Sequence, residues 1–285
     1  MSGIAEIEKP FWEKEDIYKK LTPVIKEYLW GREEWILSSL QKGLEGIPIM
    51  VKIIQAKKPL SIQVHPNDTY AKVKEKSQGK TEMWYILECE KEAFLYYGLK
   101  HRISWEELQK RIQNQTITEV CNKVKVKKGD VYFVPAGMLH AIGKGITLAE
   151  VQQNSNLTYR LYDYGRKDEN NHPRPLHLEK AKDVMGYHPS LFKNRPMVSR
   201  REREGGYETL LTSCPFFRVT RLEIRGIMKQ YIVKNFQFLY VADGSISLFW
   251  EKEELELNQG ENLFLSGRKR EYRLKGKAEV LLIEP

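Results

Sequence analysis

Residues 122–153 read NKVKVKKGDVYFVPAGMLHAIGKGITLAEVQQ. Short apolar segments rich in β-branched and aromatic residues are separated by Gly, Pro and Asp turns at close, regular spacing, the pattern of an all-β sandwich or barrel. The same pattern extends upstream through IPIMVKIIQA (47–56), LSIQVH (60–65), EMWYILEC (82–89) and AFLYYGL (93–99), and downstream through LTYRLYDY (157–164). It returns in FFRVTRLEI (216–224), QYIVKNFQFLYVADGSISLFW (230–250) and AEVLLIEP (278–285). Two short helices interrupt it. PNDTYAKVKEKSQG (66–79) offers Asn67 or Asp68 as a cap, and SWEELQKRIQNQ (104–115) has Ser104 followed three residues later by Glu107, a capping box. In residues 1 to about 45, DIYKKLTPVIKEYLW and EEWILSSLQKG have a spacing that predicts short helices or irregular packing segments.

At 285 residues the chain is long enough for two units, or one large β fold, at about 150 residues per domain. Its 41% hydrophobic and 30% charged content is that of a globular protein. The formal net charge of +9 admits a nucleic acid, an anionic membrane or a small anionic substrate. The Lys and Arg are spread along the chain among 38 acids, and the dense run SRREREGG (199–206) reads as a solvated loop. A phosphorylated metabolite therefore fits better than a duplex. The three cysteines, Cys89, Cys121 and Cys214, are far apart and unpaired in pattern, which argues against a disulfide framework or a zinc knuckle. No segment has the apolar core of a signal peptide or the ~18 residues of a membrane span, so a cytoplasmic protein is expected.

Within SIQVHPND (61–68), Gln63 and His65 lie two apart, and residues two apart on a strand share a face. An amide and an imidazole on one face serve either a metal or a pair of satisfied polar groups. With Glu82 at the start of the next strand and His140 after VPAG, they make two imidazoles, a carboxylate and an amide carbonyl, a partial shell of the kind a catalytic zinc uses. Singly, each residue is as well explained by hydrogen bonding inside a β core.

The two β regions also share a local pattern. Gly129, Pro135, Gly137 and His140 of GDVYFVPAGMLHAIG have Gly260, Ser266, Gly267 and Glu271 as approximate counterparts in GENLFLSGRKREY (260–272). They read as two related β modules of which the first alone keeps an imidazole. Residues 167 to 206, polar and proline-containing, read as a connector.

PLSIQVHPNDTYA, GKTEMWYIL, GDVYFVPAGMLHAIGKG and LAEVQQNSNLTYRLYDYGR resemble, in order and spacing, the motifs of the type I mannose-6-phosphate isomerases in their short bacterial form. The third is similar to the second cupin motif, G-x5-P-x-G-x2-H, with Lys144 where an Asn often closes it. The resemblance is dense from about 59 to 178 and weaker beyond. It implies a mainly β chain of two cupin-like (jelly-roll) modules with a few short helices: a catalytic module over 1–166, the connector, and a metal-free module over 207–285. It implies a metal-dependent isomerase holding one Zn2+ per chain on Gln63, His65, Glu82 and His140, with Arg160, Lys80 and Glu150 as active-site residues.

The substrate implied is a phosphosugar, with no nucleic-acid or membrane partner, and the working form expected is a monomer. Arg160, Lys80, Arg166 and Ser61 are the candidates for the phosphate. Where short isomerases carry W-G-G and then G-E-x-W, LWGREEWILSS keeps only Trp30, Gly31 and Trp35, so one wall of the pocket is expected to be altered. The competing readings are an isomerase of another phosphosugar, a sugar- or metal-sensing cupin without turnover, and a storage or structural double β module.

Overall fold

The computed structural model describes residues 18–167, 171–189, 197–232, 235–267 and 270–285. The strands run β1 (Tyr18–Lys19), β2 (Val24–Tyr28), β3 (Gly31–Leu37), β4 (Ile49–Ala56), β5 (Ile62–Val64), β6 (Glu82–Cys89), β7 (Phe94–Leu99), β8 (Cys121–Lys125), β9 (Val131–Val134) and β10 (His140–Ile142). They continue with β11 (Ile146–Gln153), β12 (Tyr159–Tyr162), β13 (Arg201–Arg203), β14 (Gly206–Ser213), β15 (Arg218–Ile224), β16 (Ile227–Ile232), β17 (Phe236–Trp250), β18 (Glu253–Asn258), β19 (Asn262–Ser266) and β20 (Arg270–Glu284). Among the described residues the α-helices are α1 (Asp68–Lys74), α2 (Trp105–Gln113) and α3 (Leu178–Val184), and none is long and apolar enough to cross a membrane. The architecture is mainly β, as expected.

The chain divides into two compact units that interleave in sequence. One takes Ile25–Trp35 and Met50–Arg195; the other takes the described parts of 1–24, 36–49 and 196–285. In the first, a five-stranded sheet of order β12-β5-β10-β7-β8 accompanies a six-stranded sheet of order β2-β3-β4-β11-β6-β9. Strand parity sorts the side chains. Ile62 and Val64 of β5, Leu139 and Ala141 around His140, and Tyr159 and Leu161 of β12 form one core with Trp105, Leu108 and Ile112 of α2 and Ala181 of α3. The spacing of the α2 residues is that of one helix face. Residues of the opposite parity point between the sheets, where Ile54, Trp84, Ile86, Leu95, Tyr97, Tyr132, Ile142 and Leu148 make a second core. Both N-caps form, Asn67 accepting from the Tyr70 N–H at 2.9 Å and Ser104 from that of Glu107 at 3.2 Å, but the Glu107 carboxylate accepts from Arg111 Nε at 2.8 Å instead of closing the capping box.

In the other unit one sheet of nine strands, β1-β19-β17-β20-β15-β14-β13 with β16 on β20 and β18 on β17, packs a hydrophobic core on one face. Leu222, Ile232, Val241, Leu248, Leu263, Tyr272 and Val280 belong to it. Gly129 and Gly260, aligned in sequence, both take positive φ, 87° and 84°, just before β9 and β19.

Three readings need correction or qualification. The N-terminal stretch expected to be helical or irregular forms strands β2 and β3. Glu33 and Lys26 on these strands face a polar cavity, so the inward side lacks the apolar alternation that marks a strand. SRREREGG is exposed as expected but holds β13, paired with β14, and Arg201 and Arg203 both pair with Glu208. The stretch read as connector carries α3; its residues 168–170 and 190–196 lie outside the described set, as does the start of the N-terminal segment.

Gly137 is where the loop into His140 depends on glycine. Its φ is +82°, and a Cβ there would meet the Val184 carbonyl oxygen at 2.7 Å, whereas Gly165, at φ +65°, has nothing within 4 Å of that position. Gly137→Ala is expected to cost about 2–3 kcal/mol, left-handed strain plus a backbone collision, and Gly165→Ala only the strain, about 1 kcal/mol. Denaturant unfolding of the two variants measures the difference; equal losses would contradict it.

Candidate active site

Parity carries polar side chains into one end of the space between the sheets. His140 on β10 pairs with Gln63 on β5, and Gln63 pairs with Arg160 on β12, so three neighbouring strands present an imidazole, an amide and a guanidinium in one row. From the facing sheet, Glu82 opens β6 on the same side as Trp84 and Ile86, and Glu150 on β11 stands opposite Trp84 in register. The row and Glu150 border a cavity of about 400 Å³, within the usual range for small-ligand sites, and Glu82 lies beside it.

His65, Glu82 and His140 are at most 1% exposed, and one ligand atom from each lies within 4.8 Å of the others. His65 Nδ1 is 2.8 Å from the Leu157 carbonyl oxygen and His140 Nδ1 is 2.8 Å from that of Met138. Each carbonyl accepts the Nδ1 proton and leaves the Nε2 lone pair pointing inward, the arrangement that orients metal-ligating histidines. His65 Nε2 and His140 Nε2 each stand 3.5 Å from a Glu82 oxygen. Two ligands held at about 2.1 Å in a tetrahedral shell are separated by roughly 3.4 Å, so the spacing fits a metal. His65 Nε2 and both Glu82 oxygens are buried without a hydrogen bond of ordinary geometry, an expensive arrangement for an empty polar pocket. These residues form a centre able to hold a metal ion.

Gln63 lies beside this centre, with Nε2 3.4 Å from His140 Nε2 while its Oε1 accepts from the Ser61 hydroxyl at 3.1 Å. A half-turn of the amide exchanges the two atoms and adds an oxygen donor to the set.

The surrounding charges are interlocked. Lys80 Nζ lies 2.9 Å from Glu82 Oε2 and 3.6 Å from Glu150 Oε1, and Lys52 Nζ lies 3.5 Å from Glu150 Oε1 and 3.7 Å from Glu33 Oε2. Glu150 Oε2 accepts from the Trp84 indole at 3.0 Å, whereas Oε1 is buried and accepts no hydrogen bond. Burial works against the Lys80 ammonium, but Glu150 and Glu82 outweigh it and raise its pKa. Burial also opposes ionisation of Glu82, yet Lys80 and the two imidazoles hold it well below the usual carboxylate range. Burial, aided by Lys80, takes His65 down to about 4, and burial lowers His140 as well. Both imidazoles are therefore neutral near pH 7, the form that binds metal.

Of the residues singled out in the sequence, Ser61, Gln63, Lys80, His140, Glu150 and Arg160 border the cavity, and His65 and Glu82 complete the cluster beside it. Arg166 does not border the cavity. Its Nη1 donates to the Pro59 carbonyl at 2.6 Å, and its Nε and Nη2 bond Asp163. Trp30 and Trp35, the remnant of the fused N-terminal motif, line one wall with Glu33. Sequence reasoning passed over Lys26, Glu33, Lys52 and Arg174. Lys52 did leave a signal: a single lysine in the apolar strand IMVKIIQA, with the parity of Ile54 and Ala56, which point between the sheets.

The family model for the phosphomannose isomerase type I catalytic domain matches residues 32–93, and that for the mannose-6-phosphate isomerase cupin domain matches 207–285. Mannose-6-phosphate isomerase ManA of Bacillus subtilis (strain 168) is 37% identical over 89% of this chain and 79% of its own length. A mannose-6-phosphate isomerase of Streptococcus mutans is 35% identical over 82% of this chain and 73% of its own. The crystal structure of the B. subtilis mannose 6-phosphate isomerase superposes with a TM-score of 0.86 at 29% identity, covering 93% of this chain and 99% of that one. Long matches of this kind, over a chain whose β sandwich carries a buried His-Glu-His cluster beside a charged cavity, place it in the type I mannose-6-phosphate isomerase family, as an isomerase with a cupin fold.

Proposed function

We propose that the chain interconverts D-mannose 6-phosphate and D-fructose 6-phosphate through an enediol, with one Zn2+ per chain held by His65, Glu82, His140 and the carbonyl of Gln63. The observation that carries this reading is the set of His65, Glu82 and His140 ligand atoms, buried and turned toward one another beside a cavity lined by Lys80, Arg160 and Arg174. Two imidazoles, a carboxylate and an amide oxygen suit zinc, whose catalytic sites also leave one place open. When bound, the metal supplies Lewis-acid stabilisation of negative charge on a substrate oxygen.

The remaining work falls to the protein. Aldose-to-ketose conversion moves a proton between C2 and C1, so charge develops on the adjacent oxygens. Arg160, one strand spacing from Gln63 and with its Nε buried and unpartnered, places a fixed positive charge beside that oxygen without risk of deprotonation. Glu150 offers Oε1, which accepts no hydrogen bond, to take the proton from one carbon and return it to the other, and Lys80, 3.6 Å from that oxygen, compensates its charge. Trp30 and Trp35 present apolar surface to the carbon chain.

The second unit, with Ser266 and Glu271 in place of Pro135 and His140, has a structural role in this reading and binds no metal. Glu271 accepts from the Tyr231 hydroxyl at 2.8 Å. All the assigned roles lie within one unit of one chain, so a monomer in a reducing cytoplasm, where Cys89, Cys121 and Cys214 stay free, is the working form we assign.

A coupled assay on mannose 6-phosphate is expected to show activity that a chelator abolishes and Zn2+ restores. Freshly purified protein should carry about one zinc per chain by elemental analysis, and His65→Ala should lose most of it with nearly all activity. Active protein that contains no metal would refute the metal assignment.

Arg160→Ala is expected to keep its zinc and its melting temperature while kcat falls by about two orders of magnitude or more, with a smaller change in KM. A variant that loses stability in step with activity would instead mark Arg160 as a scaffold residue.

A further inference from the structure

The charges that border the cavity are divided between its ends. At the cluster end, Lys80 and Lys52 are matched by Glu82, Glu150 and Glu33. Farther along the row, three guanidiniums gather near Asp163, which is 5% exposed: Arg160 and Arg174, which border the cavity, and Arg166, which lies beside it. Arg166 is spent on Asp163 and on the Pro59 carbonyl. Among the described residues, three cations face one carboxylate here, a surplus of two carried by Arg160 and Arg174, both of which border the cavity. A partly buried surplus of this kind calls for an anionic occupant, and a phosphate monoester brings about −1.5 to −2.

The backbone places the two arginines in order. Arg160 bonds residue 177 along the edge of β12 away from β5: the His177 N–H donates to the Arg160 carbonyl at 2.8 Å, and the Arg160 N–H donates to His177 Nδ1 at 3.1 Å. Arg160 Nη1 also donates to the Pro175 carbonyl at 2.8 Å. Residues 174–177 therefore lie one step beyond β12, and the sequence of side chains outward from the cluster is His140, Gln63, Arg160, Arg174. Two strand spacings, roughly 10 Å, separate the backbone of His140 from that of Arg160. An open six-carbon sugar with its reacting end at the cluster directs its terminal phosphate toward the arginine end of the row.

Among the described residues, Arg174 makes one ion pair, from Nε to Asp163 Oδ2 at 3.6 Å, which is longer than a hydrogen bond. Among the described residues nothing else pairs with its planar fork, whose geometry suits an oxyanion.

We infer that Arg174 anchors the phosphate of the substrate, held toward it by Asp163, and so sets the preference for a phosphorylated over an unphosphorylated sugar. This rests on the isomerase reading for the identity of the sugar, while the oxyanion chemistry stands on the guanidinium surplus alone. Arg160 serves the reacting end and Arg174 the far end.

The test compares wild type with Arg174→Met and Arg174→Lys, using inorganic phosphate, mannose 6-phosphate and mannose as probes. Phosphate is expected to raise the melting temperature of the wild type and to do so much less in Arg174→Met. With mannose 6-phosphate, KM should rise about ten- to a hundredfold in Arg174→Met, well beyond any fall in kcat, with partial recovery in Arg174→Lys. The preference for mannose 6-phosphate over mannose should shrink by a similar factor. Phosphate protection and KM unchanged in Arg174→Met, or no protection of the wild type, would overturn the inference. A wild type that binds phosphate through Arg174 yet does not isomerise mannose 6-phosphate would overturn the isomerase reading and leave the anion site standing. Should Arg174→Met fail to fold, Arg174→Lys, which keeps a cation for Asp163, decides by the same readouts: phosphate binding and KM equal to wild type would overturn the inference, and weakened values would support it.

Discussion

Alternation of side chains along a strand is the constraint on which the rest of this molecule depends. On β5 the outward residues Ile62 and Val64 are buried beneath α2 and α3, and this burial fixes Gln63 on the inner face. The same holds for His140 between Leu139 and Ala141, and for Arg160 between Tyr159 and Leu161. A slip of one residue would put the ligand set in the helix layer and bury polar groups among hydrocarbons. Each fully buried aliphatic side chain contributes about 1.5–3 kcal/mol, so the apolar layer enforces the position of the polar row.

The row is costly, and its charges are arranged to limit the cost. Glu82, fully buried, has Lys80 beside it, and Glu150 is shared between Lys80 and Lys52. Lys52 also lies 5.0 Å from the centre of the Trp35 ring, a cation–π contact that lets an ammonium sit within a largely apolar wall. The neutral imidazoles, each fixed through Nδ1 by a backbone carbonyl, keep their inner nitrogens available. The buried atoms left without a hydrogen bond include those assigned to the reaction: His65 Nε2 and the Glu82 oxygens at the cluster, Glu150 Oε1, and Arg160 Nε.

Much of this was legible in the sequence. Runs rich in aromatic and β-branched residues, such as EMWYILEC, coincide with strands, here β6, and the spacing of Gln63 and His65 placed both on one face. The caps at Asn67 and Ser104 are local, and local rules found them. Two features were not legible. β2 and β3 wall a polar cavity, so Lys26, Glu33 and Glu34 erase the apolar alternation, and register with β4 decides their conformation instead. Arg174 sits in a polar stretch with nothing local to distinguish it from a solvated loop; its position follows from pairing of residue 177 along β12, which only the fold supplies. The grouping of residues 36–49 with 196–285 is likewise a long-range outcome.

Zinc K-edge X-ray absorption on the protein as purified tests the central claim most directly, because it reads the ligand atoms and needs no turnover. The account predicts an edge corresponding to about one zinc per chain, a first shell of nitrogen and oxygen at about 2.0–2.2 Å, and the outer-shell scattering of two imidazoles. A first shell containing sulfur at about 2.3 Å, scattering from no imidazole, or active protein without a metal edge would contradict it.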